Sequence, residues 1–262
     1  MSSEKIKVEK NGHVLTMGFN RAEKRNAFDL DMYMALAEAY GELSHNKDLR
    51  CGVLYAEGDH FTAGLDLPQW GPVFASGKWV ELKDGAIDPF GVDEDNRCMK
   101  PIVMAVQGIC FTIGWELMMA ADIRIAANNL RLAHLEVKRG IFPVGGATVR
   151  MFQDIGWGHA MHYLLTGDEM PAAEAYRLGL VQELVEPGQQ FDRAMIMAEK
   201  IAKAAPLGVQ AALASARKAR VQGPKAALTT MFNEIQPLMS SKDSQEGLQA
   251  FIERREPNFT GE

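Results

Sequence analysis

The longest apolar stretch of the chain runs from Pro101 to Ala127, and it is interrupted by Gln107, Glu116, Asp122 and Arg124. Polar groups at that frequency do not suit a membrane span, so the stretch reads as buried strand, turn, helix and strand, around which a core must form. The helix is expected from about Ile113 to Ala121. Its one carboxylate, Glu116, then has Thr112, Ile113, Met119 and Ala120 as its neighbours one turn away, so no cation reaches it along the helix. Desolvation there raises a carboxyl pKa toward neutrality, as a general acid or base requires. The alternative is a Glu facing a polar seam or capping a buried amide.

On either side of that segment the pattern is mixed α/β. Two alternating runs, KIKVE and HVLTMGF, flank Lys10, Asn11 and Gly12, and Asn-Gly supplies the positive φ angles of a tight hairpin. Apolar residues at helical spacing from Leu30 to Tyr40, behind Asp29 as N-cap, predict a helix from Asp29 to about His45, followed by a strand at Cys51 to Ala56. Pro68 to Arg97 shows no sustained periodicity and reads as a long functional loop or lid, with a possible short helix around Phe74 to Leu82. Further strands are expected at Ile102 to Val106, Asp122 to Ala126, Arg131 to Ala133 and Val181 to Val185. After Pro143 the pattern turns helical, over 147–155, 158–165, 171–178, 191–204, 207–221, 224–234 and 244–254.

Composition narrows the function classes. With 28 Lys and Arg against 34 Asp and Glu, the net charge is −6, which offers no overall field to nucleic acid or to an anionic membrane. The N-terminus has no continuous apolar core of a secretory signal, and Cys51, Cys98 and Cys110 are too few and scattered for a disulfide framework, so a cytoplasmic location is expected. On the same grounds Asn258, Phe259 and Thr260 carry no meaning as a glycosylation site. The chain contains no GxSxG, no GxxxxGK[ST], no HExxH and no complete dinucleotide fingerprint. His159 and His162 lie one turn apart without a third ligand nearby, so no metal site is expected. A second candidate for chemistry is FTAGLDL at 61–67, a strand-to-helix turn whose small Ala63 and Gly64 leave amides uncovered for an anion, with Leu65, Asp66 and Leu67 opening a short helix.

Six strings together, in order and spacing, resemble the crotonase superfamily, the enoyl-CoA hydratase and isomerase family. They are NRAEKRNAF at 20–28, FTAGLDL at 61–67, KPIVMAVQGICFTIGWELMMAADIRIA at 100–126, LEVKRGIFPVGGA at 135–147, LTGDEMPAAEAYRLGLVQELV at 165–185 and EGLQAFIERREPNF at 246–259. The resemblance implies an α/β fold: a spiral core of ββα turns over about 1–200, carrying the acyl-CoA site. A C-terminal helical segment over 201–262 would complete that site and pack in a homotrimer or dimer of trimers.

It further implies a coenzyme A thioester as substrate, with no prosthetic group. Backbone N–H groups of Leu65 and Ile113 would polarise the thioester carbonyl as an oxyanion hole. Glu116 and Glu136 would hold a water between them, Glu116 taking its proton and Glu136 delivering one to the α-carbon. Lys24 and Arg25 would lie near the pyrophosphate, and Ala63 and Asp66, flanked by Gly64 and Leu67, near the adenine. Phe251 and Arg254 would reach the nucleotide, often that of a neighbouring subunit. The implied activity is reversible hydration of a 2-enoyl-CoA. Isomerisation, decarboxylation or hydrolysis on the same oxyanion hole remain open, as does an acyl-CoA binder without turnover. One departure stands out: FTIGW at 111–115 replaces the glycine-rich stretch usual before the first glutamate, so Ile113 adds bulk beside the thioester. That bulk narrows or redirects the acyl pocket, while Trp70, Phe74, Trp79 and Phe90 in the 68–97 segment lead us to expect a bulky or aromatic acyl group.

Overall fold

The computed structural model describes residues 5–93 and 96–262. In chain order the elements are β1 (Ile6–Asn11), β2 (Val14–Phe19), α1 (Leu30–His45), β3 (Cys51–Ala56), α2 (Leu67–Ser76), β4 (Ile102–Val106), β5 (Ile109–Phe111), α3 (Ile113–Ala120), β6 (Ile123–Ala127) and β7 (Arg131–Ala133). They continue with α4 (Ala147–Ile155), α5 (Trp157–Thr166), β8 (Met170–Pro171), α6 (Ala172–Arg177), β9 (Glu183–Val185), α7 (Gln190–Ala202), α8 (Pro206–Gln222), α9 (Pro224–Met239) and α10 (Lys242–Glu253). The expected hairpin closes β1 on β2 with Asn11 opposite Val14. Asp29 caps α1 by accepting the Met32 amide at 3.0 Å.

The main sheet has the order β1-β2-β3-β4-β6-β9, antiparallel at the hairpin and parallel from β2 onward. Its central strands are buried on both faces, which is why they read as apolar runs without alternation. On one face Leu15, Met17, Leu54 and Met104 join a large core under α1 and α3. On the other, Val53, Val103 and Ile125 meet Ala194, Ala198 and Ala202 of α7, a four-residue spacing of alanines that lets this helix lie close to the sheet.

A second, three-stranded sheet of β5, β7 and β8 stands beside the first. The chain passes from β4 into β5 and then α3, and from β6 into β7 and a short 3-10 turn at Glu136–Arg139, so each pass adds a ββα turn to a spiral. β5 and β8 are short strands that the hydrophobic pattern did not announce.

The 68–97 segment corrects the sequence reading. The helix lies over Leu67–Ser76, not 74–82, because Asp66 and Pro68 start it and Gly77, left-handed at φ 66°, ends it. Gly71 and Pro72 inside it had hidden the periodicity. Trp70 and Phe90 do not face a cavity: both are fully buried in an aromatic cluster with Tyr33 and Trp79. Among the described residues no helix is long and apolar enough to cross a membrane.

Candidate active site

Two distant stretches of backbone are drawn together at the edge of the spiral. Phe61 donates its amide to Gln107 O and Thr62 to Ile109 O, while Phe111 donates to Thr62 O, so 61–65 runs beside β5 and the start of α3. Phe28 donates to Gly64 O and accepts from Asp66 N, each at 2.9 Å. Bonds on both sides of Leu65 turn its own N–H the other way. Ile113 is the first residue of α3, where a helix amide has no acceptor within the helix. Neither N–H donates to an acceptor among the described residues.

Gly64, at φ +113°, is required by this meeting: a Cβ there would stand 2.6 Å from Thr112 Oγ1. Thr112 itself holds φ 49°, ψ −110°, an uncommon conformation for a β-branched residue, fixed by its amide bond to Ala133 O at 2.8 Å.

Leu65, Ile113, Glu116 and Glu136 all line one cavity of about 570 Å³, of the size that takes a small-molecule ligand. Its remaining walls are mainly apolar: Val73, Phe74 and Trp79 on one side, and Ile141 to Val144 on the other, with Lys78 the added cation. Trp79 is held in place because its Nε1 donates to Tyr33 Oη at 2.8 Å and that hydroxyl donates to Asp88 Oδ1 at 3.2 Å.

Glu116 is 3% exposed, and burial pushes its pKa up to about 8, with the nearby Glu136 charge adding to the shift. The Ala147 amide at the N-terminus of α4, donating to Oε1 at 3.2 Å, acts the other way, but burial prevails. Gly145 packs so closely that a Cβ would fall 2.8 Å from Glu116 Oε2. Glu136 comes from the 3-10 turn after β7 and is also buried.

The other candidates divide into two groups. Lys24 and Arg25 are exposed in the turn before α1, and Arg25 O accepts the Ala63 amide at 2.9 Å, so they adjoin Ala63, Gly64, Asp66 and Leu67. Asp66 is tied to Arg21 at 2.9 Å. Phe251 and Arg254, at the end of α10, do not line the cavity; Phe251 is 82% exposed, and Arg254 adopts a left-handed φ of 55°. The sequence reading did not single out the Ile141–Val144 wall, the Gly145 and Ala147 contacts to Glu116, or His134. For the first two, paired glycines just ahead of a helix were the available signal.

A family profile described as enoyl-CoA hydratase/isomerase matches residues 9–262. The chain belongs to the enoyl-CoA hydratase/isomerase family. Its relatives include the enoyl-CoA hydratase EchA19 of Mycobacterium tuberculosis, 33% identical over 255 residues, covering 96% of this chain and 95% of that protein. Another is the (E)-benzylidenesuccinyl-CoA hydratase of Thauera aromatica, 33% identical over 261 residues and covering 98% and 99%. A solved structure of a probable enoyl-CoA hydratase/isomerase from Mycobacterium abscessus superposes with a TM-score of 0.95 at 44% identity, covering 98% of this chain and 99% of the other. The ββα spiral with its helical C-terminal region is therefore the crotonase fold, and the protein is an enzyme of that superfamily. Among the described residues no cluster of metal-ligating side chains occurs.

Proposed function

We propose that this enzyme adds water reversibly across the double bond of a 2-enoyl-CoA. The observation that carries the reading is the convergence of two unengaged amides and two buried carboxylates on one apolar cavity. The Leu65 and Ile113 amides would hold the thioester oxygen as negative charge develops on it, each worth about 3–4 kcal/mol of transition-state stabilisation. Glu116 would take a proton from water as its oxygen bonds to the β-carbon. Glu136 would deliver a proton to the α-carbon, and the reverse steps expel water.

Lys24, Arg25 and the backbone of Ala63, Gly64, Asp66 and Leu67 would take the nucleotide portion of coenzyme A. Phe251 and Arg254 would complete it from a neighbouring subunit. The helical 201–262 segment supports that assembly, as a trimer or dimer of trimers, because it leaves Leu228, Met231, Phe232 and Met239 exposed. For the acyl group, the Phe74, Trp79 and Phe142 walls favour a bulky or aromatic chain. The kinship with a hydratase named for benzylidenesuccinyl-CoA supports the same class.

Glu116→Gln and Glu136→Gln are each expected to keep coenzyme A binding and to lose hydration by about 100-fold or more. Full activity in either variant would reject the assignment. Across acyl-CoA esters, a 3-phenyl-2-enoyl ester should be hydrated at least as well as crotonyl-CoA; turnover of crotonyl-CoA alone would reject the acyl class. One observation favours double-bond isomerisation as a second reading: Glu116 is held by the Ala147 amide, whereas Glu136 Oε2 has no hydrogen-bond partner among the described residues. Labelled water separates the two, since only hydration places solvent oxygen in the acyl chain.

A further inference from the structure

Among the described residues, six buried side-chain polar atoms lack a hydrogen-bond partner, and five of them belong to Thr112, Trp115, His134 and Glu136. These residues adjoin one another. The His134 ring lies flat on the Trp115 indole, centroids 4.5 Å apart and planes 15° from parallel. Its Nδ1 stands 3.5 Å from Glu136 Oε2. His134 is fully buried and both its nitrogens are among the orphans. A buried imidazole with two unmet nitrogens is costly, and a nonpolar residue would fill the same space without that cost. Packing therefore does not account for it.

We propose that His134 is a positioning residue for Glu136, donating Nδ1–H to Oε2 as that carboxylate takes its working place. The inference rests on the hydratase reading, in which Glu136 handles the α-carbon proton. Stacking on Trp115 fixes the plane of the imidazole, and from 3.5 Å a shift of the carboxylate by a few tenths of an ångström brings Oε2 within hydrogen-bond distance of Nδ1. Oε2 is the buried oxygen of Glu136, so binding it to the imidazole leaves the other oxygen for the cavity that Glu136 lines. His134 touches neither water nor thioester and acts only through Glu136. The device resembles other sites in which a buried partner orients a reacting side chain.

The test uses His134→Phe, which keeps an aromatic ring on Trp115 and removes both nitrogens, beside His134→Gln, which restores a donor. Hydration of a 3-phenyl-2-enoyl-CoA by His134→Phe should fall in kcat on the order of 10- to 100-fold, the worth of a hydrogen bond that strengthens as Glu136 gives up its proton and becomes a carboxylate, with KM unchanged. His134→Gln should recover most of that loss. Wild-type kcat in His134→Phe, or equal losses in both variants, would overturn the proposal. If His134→Phe fails to fold, the unmodified protein with isotope-labelled histidine decides by NMR. A protonated Nδ1 whose signal moves in Glu136→Gln supports the bond, and a bare Nδ1 sinks it. Should Glu136→Gln itself retain full hydration, the failure lies in the function assigned to the site and not in the role of His134.

Discussion

Burial pushes the Glu116 pKa up to about 8, and the adjacent Glu136 carboxylate adds to the shift by penalising a second negative charge. In the proposed reaction the two carboxyls would work as a unit that shares one proton. Hydration would use the arrangement with that proton on Glu136, and dehydration the one with it on Glu116. Because hydration consumes no net proton, its equilibrium constant is independent of pH, and kcat/KM must vary with pH identically in the two directions. The sign follows from the raised pKa: below about 8 Glu116 retains its proton, and above it that proton is lost to the proposed reaction. We expect kcat/KM for the enoyl-CoA and for the 3-hydroxyacyl-CoA to fall together as pH rises through about 8, by about tenfold per unit beyond it. Profiles of kcat/KM from about pH 6 to about pH 10 test this by whether the fall sets in near pH 8. Rates that hold level to pH 10 would show that Glu116 does not carry the essential proton.

The elements around Glu116 leave its carboxylate little room, and the loop before α4 sets that limit. Gly145 has an ordinary backbone φ, so alanine is conformationally acceptable there, but its methyl would stand 2.8 Å from Glu116 Oε2 and 3.1 Å from Phe90 Cδ1. Gly145→Ala should consequently shift the carboxylate and lower kcat by at least about tenfold, as a misplacement of reacting groups by a fraction of an ångström does, with coenzyme A affinity retained. Steady-state kinetics with direct binding measurements decide it, and an unchanged kcat would mean that the loop yields instead. This contact shows where sequence reading stops. The hairpin at Asn11 and Gly12, the Asp29 cap and the buried strands were legible because each is written in a few consecutive residues. Glu116 was legible as a carboxylate with no local partner. What turns the Leu65 amide free is its pairing with Phe28, and what crowds Glu116 is Gly145, both contacts between distant parts of the chain. No local period records such contacts. Glu136, in HLEVKRG, was legible only through resemblance, because its burial comes from the fold and not from its neighbours in sequence.

At the scale of the molecule, the net charge of −6 makes any site for coenzyme A phosphates depend on locally gathered cations. Lys24 and Arg25 would supply two beside the 63–67 turn, while Phe251 and Arg254, at the end of α10, do not line the cavity of their own chain. A ring that is 82% exposed gains burial and a stacking partner if it meets the adenine held by a neighbour. In such an assembly each site joins the core of one subunit to the α10 end of another. Phe251→Ala with Arg254→Ala should then raise KM with kcat retained, since these side chains act on binding and not on the reacting carbons. The decisive measurement mixes subunits. At substrate levels where Glu116→Gln alone and the Phe251→Ala, Arg254→Ala protein alone are both nearly silent, co-refolding equal amounts should restore about a quarter of wild-type activity. That is the share of sites pairing an intact core with an intact neighbouring helix in a closed ring with one such interface per subunit. If each site were built within one chain, every subunit in the mixture would remain defective and no activity would return.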